Sequence, residues 1–276
     1  MGFKQYLKIL VIYYLALLLI STGSGDYMTI YDVGQGDAIL LQKGSTQVLV
    51  DGGGNYEVGR YLNTLNGYFF TLGIKPNKLE SIFLTHPHAD HVKGLYRTLQ
   101  SRKVNQVTFN DVEYESELNS VFITEAHKKM FSKATTGDVF FFNGLRLTVL
   151  WPDESAVNAN LDNVNNYSIV LLADFGEFEA LLTGDAELEA LEQIDFNWAL
   201  SLIDLPLEVL KVPHHGSRTG LYKPMYEILS PKNCVISVGK DNSYGLPHPE
   251  VVDFIESTDC ALYRTDVDGS VKFSVR

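Results

Sequence analysis

Residues Thr85-His86-Pro87-His88-Ala89-Asp90-His91 put four metal-binding side chains into six positions, in the pattern H-x-H-x-D-H. Three of the chain's seven histidines fall in this stretch. The apolar run Ser81-Ile82-Phe83-Leu84 ahead of it reads as a β-strand. Two positions apart at a strand end, His86 and His88 point the same way. Asp90 and His91 then sit on the following turn and face a second point in space. Imidazole nitrogen together with carboxylate oxygen suits Zn, Mn or Fe, and two ligand pairs suggest two ions side by side. The bland alternative is a histidine-rich surface loop.

The rest of the chain supplies strands that can bring further ligands to the same place. Residues 27 to 41 read as two strands around a tight turn at Val33-Gly34-Gln35-Gly36-Asp37. Residues 46 to 50 form a third strand, which ends at Asp51-Gly52-Gly53-Gly54, where glycine permits positive φ and close backbone approach. Helices are expected over 56–72, 92–99, 117–133, 186–200 and 249–257. Strands are expected over 104–109, 168–173, 178–182, 209–212, 235–238 and 261–264. Residues 139–150 carry Asn143-Gly144 between two apolar runs, a type I′ hairpin signal. His127, beside Lys128 and Lys129, reads as a solvated surface histidine. The 276 residues, 45% hydrophobic, suffice for one large domain or two small ones, and no linker or solenoid-length repeat divides them. Hairpins early and alternating strands and helices later imply an α+β chain: two sheets packed together, with helices outside.

The formal net charge is −12, which argues against a partner held on a broad basic face. A local basic groove remains open, with Lys211, Arg218, Lys223, Lys240 and Arg264 in the C-terminal half. Cys234 and Cys260 lie in or beside apolar runs and follow no metal-ligand spacing. Buried free thiols are the default reading; one disulfide is the alternative for an exported chain. Lys4 and Lys8 precede the apolar run 9–20, followed by Ser21-Thr22-Gly23-Ser24-Gly25. That order is a secretory signal, or an uncleaved membrane anchor, over residues 1–25. Both readings place residues 26–276, the folded domain, on the outer face of the cytoplasmic membrane or beyond it.

Five further positions are site candidates. Asp185 ends Leu181-Leu182-Thr183-Gly184-Asp185 directly after an apolar strand, where a carboxylate can bridge two ions. His214 and His215 follow a buried strand; adjacent residues on an extended chain face opposite sides, so one would bind metal and the other act on substrate or behind the ligands. His214 is favoured as the ligand. His248, between Pro247 and Pro249, could be a ligand, a general acid or a turn residue. Asp51 can orient a metal-bound histidine through its second nitrogen.

In order along the chain, Leu49-Val50-Asp51-Gly52-Gly53, His86-x-His88-x-Asp90-His91 and Thr183-Gly184-Asp185 resemble the metallo-β-lactamase superfamily. Asp32-Val33-Gly34-Gln35-Gly36-Asp37, Lys211-Val212-Pro213-His214-His215-Gly216-Ser217, Ile236-Ser237-Val238-Gly239 and Tyr263-Arg264-Thr265-Asp266 resemble its ComEC-type competence branch, over residues 27–276. The resemblance implies an αββα sandwich with a dinuclear site at one edge. It implies His86 and His88 on one ion, Asp90, His91 and one histidine of the 214–215 pair on the other, and Asp185 between them. Two departures stand out. Asn163-Val164-Asn165-Asn166-Tyr167-Ser168 replaces a segment in which many members carry a histidine ligand, which favours Mn or a more open first position over tightly held Zn. Leu246 stands where relatives often have histidine, leaving only His248 there.

The chemistry expected is metal-assisted hydrolysis of a phosphodiester, with DNA a candidate substrate. Asp90 or Asp185 would accept a proton, and His215 or His248 would stabilise or protonate the leaving oxygen. A cell-envelope phosphodiesterase of the phosphorylcholine-esterase kind and a non-enzymatic metal-binding accessory protein are the competing readings. An aromatic cage beside the site would mark the former.

Overall fold

The computed structural model describes Gln5 and residues 25–62, 78–110, 112, 114–158, 161, 163–203 and 206–275. The segment expected to be a signal or anchor, except Gln5 and Gly25, lies outside the described residues. So does the second half of the helix expected at 56–72, of which residues 57–62 are helical.

The first sheet is built from β1 (Tyr27–Ile30), β2 (Ile39–Lys43), β3 (Thr46–Val50), β4 (Lys78–Leu84), β5 (Lys103–Phe109), β6 (Met130–Ser132) and β14 (Val271–Ser274). The second contains β7 (Val139–Phe142), β8 (Leu145–Trp151), β9 (Val170–Asp174), β10 (Glu179–Leu182), β11 (Val209–Lys211), β12 (Asn233–Ile236) and β13 (Ala261–Arg264). The strand orders are β14-β1-β2-β3-β4-β5-β6 and β13-β12-β11-β10-β9-β8-β7. In each, the last four strands in chain order along one side, β3 to β6 and β10 to β13, run parallel to one another.

Alternation along the strands sorts the core into three layers. Val48, Val50 and Phe83 of the first sheet meet Val149, Leu171, Ala180 and Leu182 of the second between the sheets. Leu49, Ile82 and Leu84 point the other way, onto Val92, Leu95 and Leu99 of α1 (Ala89–Ser101) and Phe122 of α2 (Glu117–Ala126). Leu172, Leu181 and Leu210 likewise meet Met225 and Leu229 of α3 (Lys223–Leu229) and Val251 and Ile255 of α4 (Pro249–Glu256). The αββα sandwich expected from the sequence is the fold observed.

Local differences have physical causes. α1 begins at Ala89, so Asp90 and His91 lie in its first turn rather than on a preceding one. The helix expected over 117–133 stops at Ala126, and Met130–Ser132 pair in parallel with Gln106–Thr108 as an edge strand. The helix expected over 186–200 is two short ones, Leu188–Leu191 and Phe196–Leu200. Asp195 divides them by accepting the Asn197 and Trp198 N–H groups as a fresh N-cap. Cys234 and Cys260 are disulfide-bonded, not free, with Cα atoms 5.8 Å apart. Cys234 pairs with Leu262 of β13, which brings Cys260, at the entry to that strand, alongside it.

Candidate metal centre

Five parallel strands, β3, β4, β10, β11 and β12, end at the same edge of the sandwich. The residues just beyond them are Asp51, Thr85 to His91, Asp185, His214–His215 and Ser237. The carboxyl ends of strands are where open α/β sheets place their ligands. The loops there are stitched together. Asp51 N–H donates to Phe83 O at 2.9 Å, Gly52 N–H to His91 O at 2.8 Å, Gly53 N–H to Asp37 O at 2.7 Å, and Ile169 N–H to Thr85 O at 3.0 Å. α1 presses onto this edge so closely that a Cβ on Gly94 would lie 1.8 Å from Gly52 O. Gly36 meets the backbone of Asp90 equally closely, 1.9 Å from its carbonyl oxygen to a built Cβ.

His86 and His91 are each held by the nitrogen that faces away from the cleft. Asp51, fully buried, accepts from Thr85 N–H (2.9 Å), Thr85 Oγ1 (2.7 Å) and His91 Nδ1 (2.7 Å). That fixes a proton on His91 Nδ1 and turns Nε2 toward the cleft. His86 Nδ1 faces Thr85 Oγ1 at 3.1 Å and Ser168 Oγ at 3.3 Å, so its Nε2 is also free. His86 Nε2 and His88 Nδ1 lie 3.1 Å apart. On the far side Asp185 Oδ2 is 3.3 Å from His91 Nε2 and 3.2 Å from His215 Nε2, and His215 Nε2 is 3.5 Å from Asp90 Oδ2. Two ligand atoms bonded at ~2.1 Å to one tetrahedral ion stand about 3.4 Å apart. The cleft is thus lined by two sets of donors at ion-sharing separations. Asp185 joins them, since its Oδ2 also lies 3.8 Å from His86 Nε2.

The residues fit divalent cations. Asp90, His91, Asp185 and His215 can bring four ligand atoms within 4.8 Å of one another. Asp185 Oδ1 and Asn165 Oδ1 are buried without a hydrogen-bond partner, a costly arrangement unless something else coordinates them. The charges agree. Burial alone would lower His91 and His215, but Asp185, Asp51 and Asp90 hold His91 well above the usual histidine range. Asp185, Asp90 and Asp37 push His215 up to about 10. Burial raises Asp185 and Asp90, yet the facing imidazoles outweigh it and keep both carboxyls below their ordinary range. This half of the cleft therefore attracts positive charge. His86, lowered by burial and by His91, stays neutral with its lone pair available.

His86, His88, Asp90, His91, Asp185, His214 and His215 come together; His248 does not. Its Nδ1 accepts the Arg218 N–H at 3.1 Å, its backbone precedes α4, and it is not among the residues lining the cleft. Between His214 and His215 the structure puts His215, not the favoured His214, with Asp90, His91 and Asp185. The backbone here is not extended. Instead His214 (φ 46°) and His215 (φ 53°) are both left-handed, so both rings face Asp185, at 4.0 Å and 3.2 Å. His214 stands at the cleft wall with Nδ1 3.0 Å from Glu187. The suggested basic groove is not assembled as expected. Lys211 is fully buried, Arg264 pairs with Asp266 at 2.7 Å, and Lys223 lies over the Phe254 ring.

Asp37, Tyr114 and Tyr244 escaped sequence reasoning, as did the burial of Lys211. Lys211 Nζ forms a buried ion pair with Asp37 Oδ2 at 2.7 Å, directly behind His215, whose Nδ1 donates to Ser237 O at 2.7 Å and lies 3.5 Å from Asp37 Oδ1. Tyr114, edge-on to His88, and Tyr244 line the mouth. The local signal was Lys211 as a charged residue in a short apolar strand; Asp37 lies in the turn ahead of β2.

The model of the metallo-beta-lactamase superfamily matches residues 31–239. The chain is 27% identical over 259 residues to ComE operon protein 3 of Bacillus subtilis, covering 88% of this chain and 32% of that protein. It is 30% identical over 243 residues to Recombination protein 2 of Haemophilus influenzae, covering 87% and 28%. The chain thus spans about a third of the length of these relatives. Among solved structures, Igni18, a metallo hydrolase of Ignicoccus hospitalis, superimposes with a TM-score of 0.56 at 14% identity, over 91% of this chain and 100% of that one.

Proposed function

This chain belongs to the metallo-beta-lactamase superfamily, a metallo-hydrolase with competence-protein relatives, and we propose that it is an exported phosphodiesterase acting on nucleic acid. The observation that carries the hydrolytic part is the Asp185-centred set of imidazoles and carboxylates lining an open cleft of about 320 Å³. The nucleic-acid part rests on relatives named for competence and recombination. Export is supported by the apolar N-terminal run and by the Cys234–Cys260 disulfide, which suits an oxidising compartment.

His86, His88 and Asp185 would hold one divalent ion, and Asp90, His91, His215 and Asp185 a second, Zn or Mn. Such ions supply Lewis-acid activation of water and neutralise phosphoryl charge. The protein's own part is positioning and proton handling. Asp51 and Thr85 keep the motif histidines in the tautomers that present their free nitrogens. Asp90, 29% exposed at its side chain, borders the cleft and can take the proton of the attacking water. His214, braced by Glu187, is placed to give a proton to the leaving oxygen.

Substrate choice is tested with single-stranded DNA, bis-p-nitrophenyl phosphate and glycerophosphocholine, each with Mn or Zn, beside an Asp185→Asn control. DNA cleavage lost in the control supports the proposal. Cleavage of glycerophosphocholine without DNA cleavage moves the assignment to an envelope phosphodiester. Against that second reading, the mouth tyrosines do not enclose a cage, Tyr244 being 68% exposed.

A further inference from the structure

The metal cleft continues into a second cleft of about 320 Å³ that shares Gln35, Asp90 and Tyr244 with it and adds Asn55 and Lys93. We propose that this second cleft is a subsite for a nucleotide beyond the two that flank the scissile phosphate, with Tyr244 stacking on its base and Lys93 contacting its phosphate; this rests on the nucleic-acid reading above.

Tyr244 is an exposed ring on a loop that is not loose. The Asn242 side chain donates to Gly239 O (2.9 Å) and Leu246 O (2.6 Å) and accepts from Tyr244 N–H and Leu246 N–H, both at 3.1 Å. The base of the loop is fixed to the facing loop, because Gly239 N–H donates to Gln35 Oε1 at 3.2 Å. A Cβ on Gly239 would lie 2.6 Å from Gln35 N, so the two loops touch through their backbones. A large aromatic presented to water from a braced loop at the junction of two clefts buries little surface for the fold. It is the arrangement that stacks unpaired bases, which any base satisfies through its π-face.

The cationic side is equally placed. Lys93 is on α1, three residues beyond Asp90, and Arg97 follows one turn later on the same face. Both lie over the ring of Tyr56, Lys93 Nζ at 5.6 Å and Arg97 Cζ at 5.9 Å from its centroid. Tyr56 is itself 57% exposed. In a chain of net charge −12, these two cations form a short basic strip that leads away from the metal ligands. A strand entering here needs only local positive charge, whereas duplex binding usually draws on a broad basic face. The occupant that fits is a single strand with accessible bases.

The test compares kcat/KM for a single-stranded tetranucleotide and a dinucleotide, in the full chain with Mn, across a salt series. The wild-type ratio should be about ten or more. Lys93→Ala and Tyr244→Ala should each lower that ratio about ten-fold, and Lys93→Ala should reduce the salt slope by about one. Lys93→Arg and Tyr244→Phe should restore most of it. If the wild type prefers the longer strand and neither alanine variant changes the preference, the subsite is refuted. If the wild type cleaves neither oligonucleotide yet hydrolyses bis-p-nitrophenyl phosphate, it is the nucleic-acid reading that falls, and the subsite with it.

Discussion

Replacing Lys211 with methionine probes the support behind the site. Lys211 is 0% exposed, and its Nζ lies 2.7 Å from Asp37 Oδ2 and 3.3 Å from Gly184 O. At an effective dielectric of about 20, a pair this close attracts by about 6 kcal/mol, offset by the cost of desolvating both charges. Methionine keeps the stem and removes the charge. Asp37 is then left buried, its Oδ1 already without a hydrogen-bond partner and its carboxylate within reach of Asp51. Removing one partner of such a pair costs about 3–5 kcal/mol. The double variant Lys211→Met/Asp37→Asn should recover at least about 2 kcal/mol of that, because no net charge is stranded. Equilibrium urea unfolding of residues 26–276, with the disulfide intact and chelator present, gives the three values at constant m. A single-variant loss below about 1 kcal/mol would refute the reasoning. So would a double variant as unstable as the sum of the two single changes.

Three other outcomes follow from the geometry. Gly36→Ala should cost about 3 kcal/mol or more, because its Cβ would meet Asp90 O at 1.9 Å in a φ of +115°; thermal unfolding reads the loss and activity should fall with it. Metal uptake at pH 7 should release protons, since the carboxylates hold them on His91 and His215 until a cation replaces them, so affinity should rise with pH. Calorimetry in buffers of different ionisation enthalpy counts those protons, and zero release would contradict the charge account. Reducing Cys234–Cys260, which closes a loop of 26 residues, should lower unfolding stability by about 3–4 kcal/mol as an upper bound, measured with and without dithiothreitol.

What the sequence made legible were features whose cause is local. Period-two apolar runs ending in glycine or in ligand residues located β3, β4 and β10, and with them Asp51, the 86–91 motif and Asp185. The pairing of Asp51 with a motif histidine followed from the same strand-end logic. Features set by long-range contacts were not legible. The left-handed backbone at His214 and His215 turns both rings toward Asp185, His215 the nearer, and nothing in the dipeptide announces it. Lys211 looked like a surface cation because its burial depends on Asp37, far away in the chain. β6 and β14 are edge strands, defined by their neighbours rather than by strong patterns of their own. The cysteines pair because β12 and β13 are adjacent in the sheet, a fact their spacing does not contain. His248 was drawn in by its prolines, of which Pro249 opens α4 with His248 as the N-cap residue.

The most direct test of the central claim is the initial rate of single-stranded DNA cleavage as chelator-treated protein is titrated with Mn or Zn, alongside the number of ions bound per chain. The account gives a rate that rises with ion occupancy toward two per chain and vanishes in Asp185→Asn. Cleavage that persists in chelator, or that survives the loss of the Asp185 carboxylate, would contradict it.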